Sequence, residues 1–285
     1  MLALIGSAVA FAQIELFVAN DVGRNGHYEQ KPFAELMGRM AEEHDVEAIL
    51  ALGDTHHYMG VQSVNDPLWM TNFELIYSHP ELQVPWYPVL GNHEYRGNTQ
   101  AVLDYSQVSR RWQMPARYYS KVFEDDGVTL RVVFIDTTPL IDKYHKDNQD
   151  YPDVSKQDMA SQLAWLDKEL QQANEDWVVV VGHHPIYADT PKSPNERMDM
   201  QKRVDPILRR HIHNFQHIRP AGSKIDYVVN SSASLSRQQV NPVEGTIFVS
   251  GQPGFAILSC TKDNLRLDMI NQQGEVIHSV NRSRR

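Results

Sequence analysis

Short apolar runs punctuate the chain, and residues at helical spacing fill the gaps between them. Ile14 to Ala19, Ala48 to Ala51, Pro85 to Leu90, Leu130 to Ile135 and Trp177 to Val181 are each of strand length. After the first of these, Pro32 opens a helix in which Phe33, Leu36, Met37 and Met40 fall at i, i+3, i+4 and i+7. Trp69, Phe73 and Ile76 suggest another helix between Val61 and Glu81. Met159, Leu163, Leu166 and Leu170 form a further helical stripe, and Ser155 with Asp158 resembles a capping box ahead of it. A helix from Arg197 to Arg209 leads into His211, and beyond Asp226 short strands such as Phe255 to Leu258 and Leu265 to Met269 alternate with turns at Gly254 and Gly274. The alternation of strand and helix predicts an α/β (α+β) fold. No repeat or linker divides residues 13–285, which read as one domain.

Each apolar run gives way to polar residues of a chemically specific kind. The chain reads Asn20-Asp21, Gly53-Asp54 with His57, Gly91-Asn92-His93-Glu94, Gly182-His183 and His211-Ile212-His213. Open α/β sheets do their chemistry at such strand ends. Each piece alone is weak, since Gly-Asp is also an ordinary turn. As a set, carboxylate, imidazole and amide oxygen suit Zn, Fe or Mn, and there are more donors than one ion requires. Two ions about 3.5–4 Å apart need a bridging carboxylate, and an aspartate in the middle of the set suits that place. His56 competes with His57 as the imidazole there. His184 and His217 read as supporting residues, Asp136 as a turn residue, and Arg282, Arg284 and Arg285 as a solvated tail. A smaller alternative pairs His213 with His217 at i, i+4 as a single-metal helical site.

The order of these motifs resembles that of the calcineurin-like metallophosphoesterases, and within them the purple acid phosphatase branch. The likeness covers nearly the whole chain. It implies a four-layer sandwich of two mixed β-sheets flanked by helices, with a dinuclear metal site at the strand ends. Asp21, Asp54, His57 and His213 would then surround the first metal. Asp54 as bridge, Asn92, His183 and His211 would hold the second. His93 would meet the phosphate and serve the leaving oxygen, supported by Glu94. The implied activity is phosphomonoester hydrolysis by a metal-bound hydroxide, acting on a small phosphorylated substrate. A phosphodiesterase of the same fold is the alternative.

Two departures from the family's pattern bear on that expectation. The purple enzymes carry tyrosine three residues after the bridging aspartate, where this chain has His57. Neutral imidazole in place of tyrosinate removes a negative charge and relaxes the preference for ferric iron, so a colourless or weakly coloured site is expected. The family also has an apolar strand and a glycine immediately before His-x-His. Here Ile207-Leu208-Arg209-Arg210 runs straight into His211, a connection shorter by about eight residues. On a continuing helix His211 and His213 would not face the same way. In an extended segment they would. The shortening opens two alternatives: His213 alone as ligand, or an inactive scaffold that only binds phosphorylated ligands.

The totals narrow the setting. The chain of 285 residues is 41% hydrophobic and 22% charged, as soluble globular proteins are. Its net charge of −9 argues against a nucleic-acid backbone or an anionic membrane as partner. A small anionic substrate remains compatible, because bound metals invert the field locally. Cys260 is the lone cysteine, so no intrachain disulfide forms. Met1 to Ala12 is uncharged and apolar and ends Ala10-Phe11-Ala12, which reads as a signal-peptide remnant and predicts export to the periplasm or the exterior. It is too short to span a bilayer.

Overall fold

The computed structural model describes residues 14–187, 194–205, 217–219, 221, 226–236, 242 and 244–284. The first apolar run forms β1 (Ile14–Ala19), buried along its whole length. Helix α1 (Gln30–Ala41) comes next, and the chain returns as β2 (Val46–Ala51) and then β3 (Trp86–Pro88). These three strands pair in parallel, which places their carboxyl ends side by side. Burial on both faces explains why they read as unbroken apolar runs. On α1, Phe33, Leu36 and Met37 face the core as their spacing predicts.

Beyond α2 (Thr99–Asp104) a second, three-stranded sheet is built from β4 (Tyr119–Asp125), β5 (Val128–Phe134) and β6 (Trp177–Val181). The β4–β5 hairpin carries no strong apolar alternation on its outer strand. Its signal is the turn Asp126-Gly127, where both residues have positive φ, as a tight two-residue hairpin requires. Helices α3 (Asp142–His145) and α4 (Met159–Gln172) precede β6, and α5 (Pro194–Arg203) lies after it. The first sheet is completed by β7 (Gly254–Cys260), β8 (Asn264–Asn271) and β9 (Val276–Ser283), in the order β3-β2-β1-β7-β8-β9. Strands β7 to β9 are antiparallel, so both sheets are mixed, as expected.

Several local expectations need correction. The cap of α4 is Asp158 itself, whose side chain accepts from the Ser161 amide at 3.0 Å, while Ser155 lies in a separate 3-10 turn. The helix expected around Phe73 is a single π-type turn at Met70–Glu74. Its Phe73 joins Trp69, Trp86 and Trp112 in an aromatic cluster, with ring centroids 5.0–5.2 Å apart for the pairs that touch edge to face. Arg282 is not in a solvated tail: it sits on β9 and pairs with Asp226. Arg284 pairs with Asp176, and Arg285 lies outside the described residues. Among the described residues no helix is long and apolar enough to cross a membrane.

Asp136, read from sequence as a turn residue, is buried just past the end of β5 and accepts from the Tyr95 hydroxyl. Burial pushes its carboxyl from 3.8 up to about 7. Between those values the folded protein holds a proton that the unfolded chain has released. Asp136 therefore contributes stability that is complete below about pH 4 and lost as pH rises through about 7. Asp136→Asn is expected to remove up to about 4 kcal/mol of this pH dependence. Urea unfolding at pH 5 and pH 8 would show it as a smaller difference between the two pH values than in the unaltered protein.

Candidate metal centre

The parallel strands deliver their terminal residues to one place. The Asp21 amide donates to the Gly53 carbonyl at 3.0 Å, tying the end of β1 to the end of β2. Asp21 and Asp54 both have positive φ, at 51° and 54°, a conformation aspartate tolerates better than most residues but still at some strain. Two glycines make the close approach feasible. A Cβ on Gly53 would lie 2.7 Å from His183 Nδ1, and one on Gly91 would lie 2.2 Å from Asp54 Oδ1.

Asp54 is the hub and is buried. Its Oδ1 accepts from the His93 amide at 3.0 Å. Its Oδ2 faces three imidazoles: His57 Nε2 at 3.3 Å, His183 Nε2 at 3.4 Å and His93 Nε2 at 3.8 Å. Asp21 Oδ1 stands 3.7 Å from the same His57 nitrogen. In all three rings Nδ1 contacts a backbone carbonyl: Gly23 for His57 at 2.8 Å, Leu52 for His183 at 2.8 Å, and Tyr58 for His93 at 2.7 Å. A carbonyl oxygen only accepts, so each Nδ1 carries its proton and each ring turns Nε2 toward Asp54.

The electrostatics agree with a site built for positive charge. Burial opposes a charged ring at His183, but the Asp54 carboxylate, its hydrogen bond and Asp21 outweigh it and carry His183 up to about 10. Burial likewise opposes ionisation of Asp54, and His183 and His57 overcome it, holding that carboxyl well below its usual range. His93 is lowered, chiefly by burial. A proton on His183 thus does what a cation between these groups would do better. Converging imidazole lone pairs, a shared carboxylate and carbonyl-fixed tautomers fit a divalent metal. Asp54, His57 and His93 each offer an atom within 4.8 Å of the others.

The support around the centre is dense. Glu94 lies beneath it, buried, and its carboxylate accepts from the amides of Asp54 at 2.9 Å, His56 at 3.0 Å and Gly91 at 2.8 Å. It clamps the loop after β2 to the loop after β3, which places it behind Asp54. His184 engages both ring nitrogens, with Thr137 Oγ1 at 2.8 Å and the Tyr144 hydroxyl at 2.9 Å. Burial and the neighbouring His183 keep its pKa well below the usual value. His56, the rival of His57, is fully buried with neither ring nitrogen hydrogen-bonded, edge-on to Trp69. Burial lowers it to about 3, so it stays neutral.

Asn92 lies between Gly91 and His93, both of which touch Asp54, and so sits at the rim of the group. His211 and His213 lie outside the described residues. His217, considered with His213 as a helical pair, instead meets His278 at 2.5 Å. Tyr58, one position beyond the family's tyrosine, is not among the groups that meet Asp54: its ring is half exposed and lies under the Arg24 guanidinium. Sequence reasoning missed Arg24 and Arg96. Arg96 lies 3.4 Å from His93 Nδ1 and is held by the Tyr151 hydroxyl at 2.9 Å. Their signal was position alone, each an arginine three or four residues past a ligand-type residue.

The sheet order and this strand-end cluster define a metal-dependent phosphoesterase, and the chain belongs to the calcineurin-like phosphoesterase family, whose profile matches residues 15–215. Within it, the chain is 32% identical to purple acid phosphatase 4 of Arabidopsis thaliana, over 95% of this chain and 84% of that protein. It is 29% identical to tartrate-resistant acid phosphatase type 5 of Oryctolagus cuniculus, over 85% and 81%. A solved structure described as GAP50, the anchor in the inner membrane complex of Plasmodium, superposes with a TM-score of 0.79 at 21% identity, covering 95% of this chain and 89% of that one. That last likeness is one of fold.

Proposed function

We propose that the chain hydrolyses phosphate monoesters with two metal ions, Fe, Zn or Mn, held by Asp21, Asp54, His57, Asn92, His183, His211 and His213. The observation that carries the reading is the convergence of three Nε2 atoms on Asp54 Oδ2, each ring fixed by a carbonyl at its far side. When bound, the metals supply Lewis acidity for the phosphoryl oxygens and an acidified water as nucleophile. The chain's own residues do the rest. His93 Nδ1 is committed to the Tyr58 carbonyl, so Nε2 is the atom that takes up a proton and, in the charged ring, passes it to the leaving oxygen. Arg96 lies beside it and adds positive charge where a phosphate dianion would dock. Glu94 serves His93 through the backbone, by holding the two loops together.

Asn92→Ala or His183→Ala is expected to remove metal and turnover together, read by elemental analysis and phosphate release on the same sample. Full turnover by either variant would contradict the proposal. The monoester p-nitrophenyl phosphate is expected to outrun its bis ester, and the reverse order would favour a phosphodiesterase. With His57 in the tyrosine's place, the loaded protein is expected to lack a strong visible absorption band.

A further inference from the structure

Beside the metal centre lies a second feature that the hydrolysis scheme does not use. A cavity of about 510 Å³ opens next to it, lined by Arg24, Asn25, His27, Tyr28, His57 and Tyr58. His57 belongs to both places: its Nε2 faces the aspartates and its ring walls the cavity. A phosphoryl group held at the proposed metals would thus have this space open to its ester substituent across His57. The volume is within the range that holds a whole small-molecule ligand.

Arg24 is the unusual wall. Its guanidinium has no carboxylate partner among the described residues, and its Nε is buried without a hydrogen bond. In a chain of net charge −9 with acidic residues in excess, an arginine with no carboxylate partner among the described residues, at a half-enclosed site, calls for an anion. The guanidinium lies over the Tyr58 ring, 5.5 Å from its centroid, which fixes its plane by cation–π contact. Its loop is held from below: the amides of Arg24 and Gly26 donate to Gln30 Oε1 at 2.9 and 2.7 Å, and that of Asn25 to Asn72 Oδ1 at 2.5 Å. Tyr28 has a positive φ of 54°, rare for a bulky residue, and presents an exposed ring. A rigid fork of donors beside two aromatic rings matches a phosphate, which arginine binds through two parallel hydrogen bonds.

We propose that Arg24, set against Tyr58 and Tyr28, recognises a second phosphate on the leaving group and directs the enzyme toward diphosphate esters such as a nucleoside diphosphate. The inference rests on the phosphomonoesterase reading, and its test has one arm for each. In the first arm, metal-loaded protein is assayed with ADP and with p-nitrophenyl phosphate, and the ratio of the two kcat/KM values is tracked. Arg24→Ala is expected to lower that ratio roughly 10- to 100-fold, the loss of a charge-assisted contact, with Arg24→Lys recovering part of it. A ratio that stays fixed while both rates fall would show a structural role and overturn the inference. In the second arm, calorimetry compares methylenediphosphonate with methylphosphonate. Binding should favour the diphosphonate in the unaltered protein, and Arg24→Ala should erase the preference. A protein that hydrolyses neither ester yet shows this Arg24-dependent preference refutes the hydrolysis and keeps the subsite. Equal binding of both probes by the unaltered chain refutes the subsite whatever the turnover.

Discussion

Asp54→Ala is expected to leave a protein that holds neither metal nor phosphatase activity, with turnover reduced by more than about 10³-fold, the upper end of what loss of a single electrostatic group produces. The size of the effect comes from position. Asp54 Oδ2 is the point on which His57, His183 and His93 converge, and Oδ1 receives the His93 amide. Removing the carboxylate deletes the proposed shared ligand and frees the His93 amide at the same time. It also removes the main charge that carries His183 up to about 10, so the His183 ring should lose its proton at a lower pH. Histidine ring resonances monitored through a pH titration of the metal-free variant would show this independently of activity. A variant that keeps both its metal and its rate would mean that the hub has been misplaced.

Glu94→Ala is expected to act on the fold first and on the chemistry second. Its carboxylate accepts from three amides, those of Asp54, His56 and Gly91, and all three would be left without their partner in a buried place. Orphaned buried donors cost about 1–3 kcal/mol each. Part of that is offset, because burial and the Asp54 charge already raise the Glu94 pKa and disfavour its ionised form. A net loss of about 3 kcal/mol is expected, or roughly 5 °C in Tm. Glu94→Gln, with one carbonyl oxygen in place of two acceptors, should fall between. Thermal unfolding of the metal-free proteins reads this directly. An unchanged Tm would show that the two loops hold their places without the clamp, and metal affinity should then be unaffected as well.

The sequence was most readable where one physical demand acted alone. Strands β1, β2, β3, β5 and β6 are buried on both faces or nearly so, and each appears as a plain apolar run ending in a ligand-type residue. That ending was also the most informative part of the site, since Asp21, Asp54, His93 and His183 do gather as their strand-end positions require. Strands β4 and β9 were not legible, because they are half-exposed and carry charged residues such as Lys121, Glu124 and Arg282 along their length. Asp136 misled for a related reason. A polar residue at a strand end looks the same whether it faces solvent or is buried as an acceptor for Tyr95. Glu94 shows the limit for the site itself: adjacency to His93 suggested shared chemistry, whereas the His93 ring turns to the Asp54 carboxylate and the Glu94 carboxylate to the backbone amides beneath it.

The most direct test of the account is the metal content of the reconstituted chain, measured by elemental analysis after loading with Fe, Zn or Mn and removal of excess. The account predicts about two ions per chain, as a carboxylate-bridged pair requires. Well under one ion per chain, under conditions where Asp54→Ala binds as much as the unaltered protein, would contradict it.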